Sequence, residues 1–194
     1  MNKYLKAGVK IVTGIAMLAA ALAGYLPTPE LLVEFSFISN AMGGVLLILD
    51  GMGSFRGKKM PEILHRNICV GLFFVFTVCM GSLSGAYRMN FQGAFFILHV
   101  VAPILFCILY VFLCDDSRGS VWKKLFTAPI LVMVWLLFDF ILGKVRGSFV
   151  YGLLEPEEIG FMKAMGIGAV AYIAAFAVGA VFLFLNRAVH KREV

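Results

Sequence analysis

Six apolar stretches, each about as long as a bilayer is thick, constrain this chain of 194 residues more than anything else in it. They lie at about residues 7–26, 31–53, 63–87, 91–114, 121–143 and 160–188. About 20 helical residues cross a hydrocarbon core, so six crossings joined by short loops use up the length. Lipid offers the backbone no hydrogen bonds, and such runs satisfy themselves only as helices. The expected fold is therefore all-α, one domain over residues 1–194, a bundle of six transmembrane helices. A soluble fold is excluded on composition, because only 14% of the residues are charged where soluble domains carry ~25%. Ala21-Leu22-Ala23 resembles a signal-peptidase site, but the first run continues to Leu26, so we read it as a retained span.

The net charge of +6 then reads as a topology signal. Across the loops, every lysine and arginine except Arg88, Lys144, Arg146 and Lys163 falls on the side that holds both ends of the chain. Positive charge stays cytoplasmic, which puts both termini there in a multi-pass protein of the cell membrane. On that side Arg56-Gly57-Lys58-Lys59 is expected to meet anionic headgroups. No basic stretch is interleaved with exposed aromatics, so nucleic acid is not an expected partner. Cys69, Cys79, Cys107 and Cys114 form no CxxC pair and have no histidine at ligand spacing. They read as small buried apolar groups, with no metal or organic cofactor implied.

Polar groups inside a span are costly and need a reason. At ~1.5 Å per residue, Ser36 lies ~8 Å and Asn40 ~14 Å below the outer surface. His99 lies ~12 Å and Asp139 ~6 Å below the same surface. Arg88, Asn90, Lys144, Arg146 and Tyr151 ring that face. The inner halves of spans two, four and five read as almost purely apolar. Pro103 leaves a carbonyl one turn earlier, near His99, without its donor, and predicts a kink there. Ser36, Asn40 and Gly43/Gly44 share one stripe of span two, the face expected to meet other helices.

A hydroxyl, an imidazole and a carboxylate at similar depth are the three parts of an acyl-transfer site. Ser36 would be the nucleophile and His99 its base. Asp139 would orient the base, and Asn40 would donate to an oxyanion. The substrate class would be an acyl lipid or fatty acid ester reached from the outer leaflet. Each residue also has a plainer use: serine and asparagine as interhelical contacts, the histidine bonded to a neighbouring helix, Asp139 paired with Lys144 or Arg146. There is no GxSxG elbow, HExxH helix or phosphate loop.

Glu34-Phe35-Ser36-Phe37-Ile38-Ser39-Asn40 resembles the opening of span two in bacterial Pr6Pr-type membrane proteins. These are in turn similar to the androgen-induced/FAR-17a family of six-span proteins. Leu98-His99-Val100-Val101-Ala102-Pro103 is similar to that family's H-x-x-x-P segment. Phe138, Gly143, Arg146 and Gly147 resemble its stretch at the end of span five. The resemblance covers about residues 33–187, with serine at position 36 where threonine is usual. It implies hydrolysis of fatty acid esters of hydroxy fatty acids by Ser36 and His99; Asn40, Asp139 and Arg146 would be supporting residues on the reading by depth. The rival expectations are a non-catalytic lipid or small-ligand binding or transport protein, and a structural membrane component.

Overall fold

The computed structural model describes residues 2–81, 93–150 and 159–190. Among these residues there is no strand, and six helices are long and apolar enough to cross a membrane. They are α1 (Lys3–Tyr25), α2 (Phe35–Phe55), α3 (Glu62–Gly81), α4 (Gly93–Leu113), α5 (Val121–Arg146) and α6 (Phe161–His190). The chain is an integral, multi-pass membrane protein of the all-α class. Its outward faces bear this out. Val134, Leu137, Val170 and Ile173 are all at least 60% exposed, the reverse of a soluble surface and what a lipid-facing helix requires.

Two helices depart from the expected spans. The second begins at Phe35 rather than near Leu31, because Pro29–Val33 forms a separate 3-10 turn before it. The fifth breaks at Ala128-Pro129 into Val121–Thr127 and Ile130–Arg146. Proline has no N–H to continue the ladder, and Ala128 tightens the end of the first piece by donating to Leu125 O. The expected end of span three, residues 82–87, and the start of span four, 91–92, lie outside the described residues.

Apolar side chains gain little from leaving lipid, so close packing holds such a bundle together. The α1–α2 pair shows how. A Cβ on Gly44 would sit 2.9 Å from Gly14 O and 2.7 Å from the Leu18 side chain. A Cβ on Gly51 would sit 2.9 Å from Ala7 O. The two backbones nearly touch along a seam of small residues. Gly44→Val should therefore lower stability by about 1–3 kcal/mol. Gly8→Ala, where a Cβ meets open space, should not. Thermal unfolding in detergent compares the two, and equal melting temperatures would mean the seam does not hold the pair.

Helix α3 is the hub, touching α2, α4, α5 and α6. Its Leu72 packs with Met17, Leu47, Phe106 and Tyr110 in one core. Its Val70 and Val75 pack with Phe35, Val132 and Trp135 in a second.

Candidate functional site

The Ser36 end is built by the short segment between α1 and α2. Trp135 of α5 donates its indole N–H to Val33 O at 3.1 Å and packs against Phe35. That contact fixes Glu34 at the mouth of α2. Tyr25, on the last turn of α1, reaches the same point. The Tyr25 hydroxyl donates to Glu34 Oε2 at 2.9 Å, and Ser36 Oγ donates to the same oxygen at 3.1 Å. The two hydroxyls are 2.5 Å apart, and either can donate. Three oxygens thus form a ring. Burial raises the Glu34 carboxyl above its ordinary value, and the hydrogen bonds from Tyr25 and Ser36 only partly oppose this. Ser36 itself is wholly buried.

His99 lies one helix away. Residues 97–101 form a π turn inside α4, just ahead of Pro103. In this register Ala102 N bonds to Ile97 O, five residues back, so the missing N–H of Pro103 would have served Leu98 O. Asn40 replaces it: its Nδ2 donates to Leu98 O at 3.0 Å and to Ser36 O at 2.7 Å. One amide therefore ties the backbone of the serine to the backbone beside the histidine. His99 Nδ1 lies 2.9 Å from Phe95 O, and its ring stacks on Phe95 at 4.2 Å. A carbonyl only accepts, so Nδ1 carries the proton and Nε2 keeps a free lone pair.

Several sequence expectations change here. Among the described residues, Ser36 makes no hydrogen bond to His99; its acid neighbour is Glu34. Both amide hydrogens of Asn40 are taken by carbonyls, so it has none to offer an oxyanion, and its Oδ1 is buried without a partner among the described residues. Asp139 does not join the group. It accepts the Val150 N–H at 2.9 Å and holds the turn after α5. Arg146 is exposed on the last turn of α5. Arg88, Asn90 and Tyr151 lie outside the described residues. The stripe of Ser36, Asn40, Gly43 and Gly44 is buried, facing the bundle as its spacing implied.

The Asn40 arrangement makes a sharp expectation. Asn40→Leu leaves the Leu98 carbonyl buried without a donor and should cost about 1–3 kcal/mol. Pro103→Ala restores a backbone N–H for that carbonyl, so the double variant should recover part of the loss. A cycle of four melting curves reads the coupling, and strictly additive losses would mean Asn40 does not stand in for the proline's missing donor.

The other end of the bundle departs most from the sequence reading, which took the inner halves of spans two, four and five as apolar. Two buried charge clusters occupy it. Lys10 Nζ lies 2.6 Å from Asp50 Oδ2, His65 Nε2 lies 3.1 Å from the same oxygen, and the Met60 N–H donates to Asp50 Oδ1. Beside them, Asp116 is fully buried and holds four elements at once. Its carboxylate accepts from Arg66 of α3 at 2.6 Å, from Tyr110 of α4 at 2.8 Å and from Lys124 of α5. Asn186 of α6 accepts the Asp116 N–H at 3.0 Å. In the sequence Lys10, Arg66 and Lys124 look like ordinary flanking charges, and His65 like an interfacial residue. Only their acidic partners, from 8 positions away for Lys124 to 50 for Arg66, make them a core.

The four cysteines are buried, as small apolar groups would be. Cys114 nevertheless meets a histidine in space. Donor atoms of Asp50, His65 and Cys114 all lie within 4.8 Å of one another, close enough to hold an ion. The Lys10 ammonium already fills the cation's place against Asp50, so this trio fits an ion pair better than a metal.

No family model matches the chain, and neither a curated protein nor a solved structure matches it.

Proposed function

We propose that this membrane protein hydrolyses an ester of a lipid or fatty acid at the Ser36 end, with Ser36 as nucleophile. The observation that carries this reading is the hydroxyl of Ser36 set against the Glu34 carboxylate and the Tyr25 phenol. A serine becomes nucleophilic when a base takes its proton, and a buried carboxyl with a raised proton affinity accepts one more readily than an ordinary glutamate. In this scheme the Ser36 proton passes to Glu34 as Oγ attacks the ester carbonyl. The same proton leaves with the alcohol, and water then releases the acid from Ser36. Once Glu34 holds the Ser36 proton, the Tyr25 hydroxyl hydrogen is released from that carboxylate and can turn to the developing oxyanion, the role expected earlier of Asn40. His99, with Nε2 as acceptor, is a second base for the attacking water. The resemblance to the Pr6Pr and FAR-17a proteins points to the same serine and histidine and to the same substrate class.

A second reading is favoured by the full burial of Ser36. In it the Tyr25–Glu34–Ser36 ring only locks α1 to α2, and the protein binds lipid without reacting. A fluorophosphonate probe separates the two. Labelling of the purified protein, absent in Ser36→Ala, supports the hydrolase. A protein that is folded yet inert to the probe supports the lock.

A further inference from the structure

A concavity lies at the opposite end of the bundle from Ser36; the Lys10–Asp50–His65 cluster forms part of its wall, and the proposed reaction does not use it. It is a cavity of about 500 Å³ between the start of α1, the end of α2, the start of α3 and the ends of α4 and α6. The geometry points to a phosphate site: the cavity takes a doubly charged phosphate group, on a lipid headgroup or on a free molecule, held by Lys3, Lys6, Lys58 and Lys59.

Four observations converge on it. The volume falls within the ~300–1,000 Å³ of ligand pockets, room for a phosphate with its attached glycerol or sugar. The charge in the wall is unbalanced. Of its three carboxylates, Asp50 is consumed by Lys10 and His65, the Asp115 side chain is held by Ser117, and Glu62 is left to stand against Lys3, Lys6, Lys58 and Lys59. Among the described residues no carboxylate lies within ion-pair distance of Lys3, Lys6, Lys58 or Lys59. The positive end of α1 also opens here. Its first turn carries no acidic residue, while Lys3, Lys6 and Lys10 follow one face. Cations at a helix N-terminus are unfavourable, and an anion in the cavity relieves both the lysines and the helix end. Finally, lysines from two separate segments line one cavity. The rule that keeps positive loops on one side of a membrane accounts for their side but not for this; Lys123 falls on that side too and lies outside the cavity. Ammonium groups arriving from separate segments suit a tetrahedral dianion, whose oxygens point in several directions.

The test is thermal unfolding of the full chain in uncharged detergent. The ligands are pyrophosphate or inorganic phosphate in one arm, and phosphatidic acid against phosphatidylcholine in mixed micelles in the other. A rise in melting temperature with phosphatidic acid alone assigns a lipid headgroup. A rise with the soluble phosphates alone assigns a free ligand, and a rise with both assigns the phosphate group itself. The fourfold variant Lys3→Gln/Lys6→Gln/Lys58→Gln/Lys59→Gln should bind about tenfold more weakly or worse, and Lys123→Gln should bind as wild type does. Lys58→Gln/Lys59→Gln alone, confined to an exposed loop, gives the same direction should the fourfold variant fail to fold. No shift with any ligand overturns the site, as does a full shift in the lysine variants or an equal loss in Lys123→Gln.

Discussion

Asp116→Ala is expected to cost about 3–5 kcal/mol, the typical result of removing one partner from a buried ion pair. The mechanism is specific. Without the carboxylate, Arg66 keeps its charge at 3% side-chain exposure with only Thr127, among the described residues, left for its guanidinium. The Tyr110 hydroxyl is stranded as well. Lys124, at 15%, is better placed to swing its ammonium toward water. The pair Asp116→Leu/Arg66→Met should recover much of the loss, because apolar replacements of both partners remove the charges that need each other. The neighbouring Asp115→Ala is the control, since its carboxylate bonds only Ser117 among the described residues. Melting curves in detergent decide it. A loss below ~1 kcal/mol for Asp116→Ala, the range of surface pairs, would mean the cluster is not what joins α3, α4, α5 and α6.

The second large effect is on turnover. If Ser36 is the nucleophile, Ser36→Ala should cut ester hydrolysis by about 10³-fold or more while the protein stays folded. Glu34→Gln should fall by about 10²–10⁴-fold, the span of general-base effects. The pH profile is the more specific readout. Glu34 acts as a base only when ionised, and burial raises its carboxyl. The rate should therefore climb with pH through a midpoint above the ordinary carboxylate value, and Glu34→Gln should flatten that limb. Stability should run the other way. The folded protein holds this proton more tightly than the unfolded chain, so the group's contribution is full below its ordinary value. It fades as pH rises through the raised folded value. Hydrolysis by Ser36→Ala at the wild-type rate would sink the nucleophile, and a profile unchanged by Glu34→Gln would remove the base.

The membrane fold is legible in the sequence because lipid leaves so few options. A 20-residue apolar run is helical whatever its neighbours do, so six runs predict six helices. The buried stripe of Ser36, Asn40 and Gly44 follows from helical spacing alone. The donor vacancy left by Pro103 is also readable, since the chemistry of proline is local; that Asn40 fills it is not.

Depth along a helix axis is a one-dimensional coordinate. It places Asp139 near His99 in height and says nothing of azimuth, and Asp139 turns instead to the Val150 backbone. Glu34 looks in the sequence like an ordinary interfacial charge, because its value lies in its two partners, one of them on the preceding helix. Asp50 and Asp116 make the same point more strongly. A carboxylate near a span end looks solvated until the bundle closes over it and delivers Lys10 or Arg66 from 40 and 50 positions away in the chain. Hydropathy is a sum over neighbours in sequence and determines which segments enter the membrane. Ion pairing depends on separation in space, so only the tertiary packing decided which charges became core, which serine neighbours found an acid, and which lysines were left facing an open cavity.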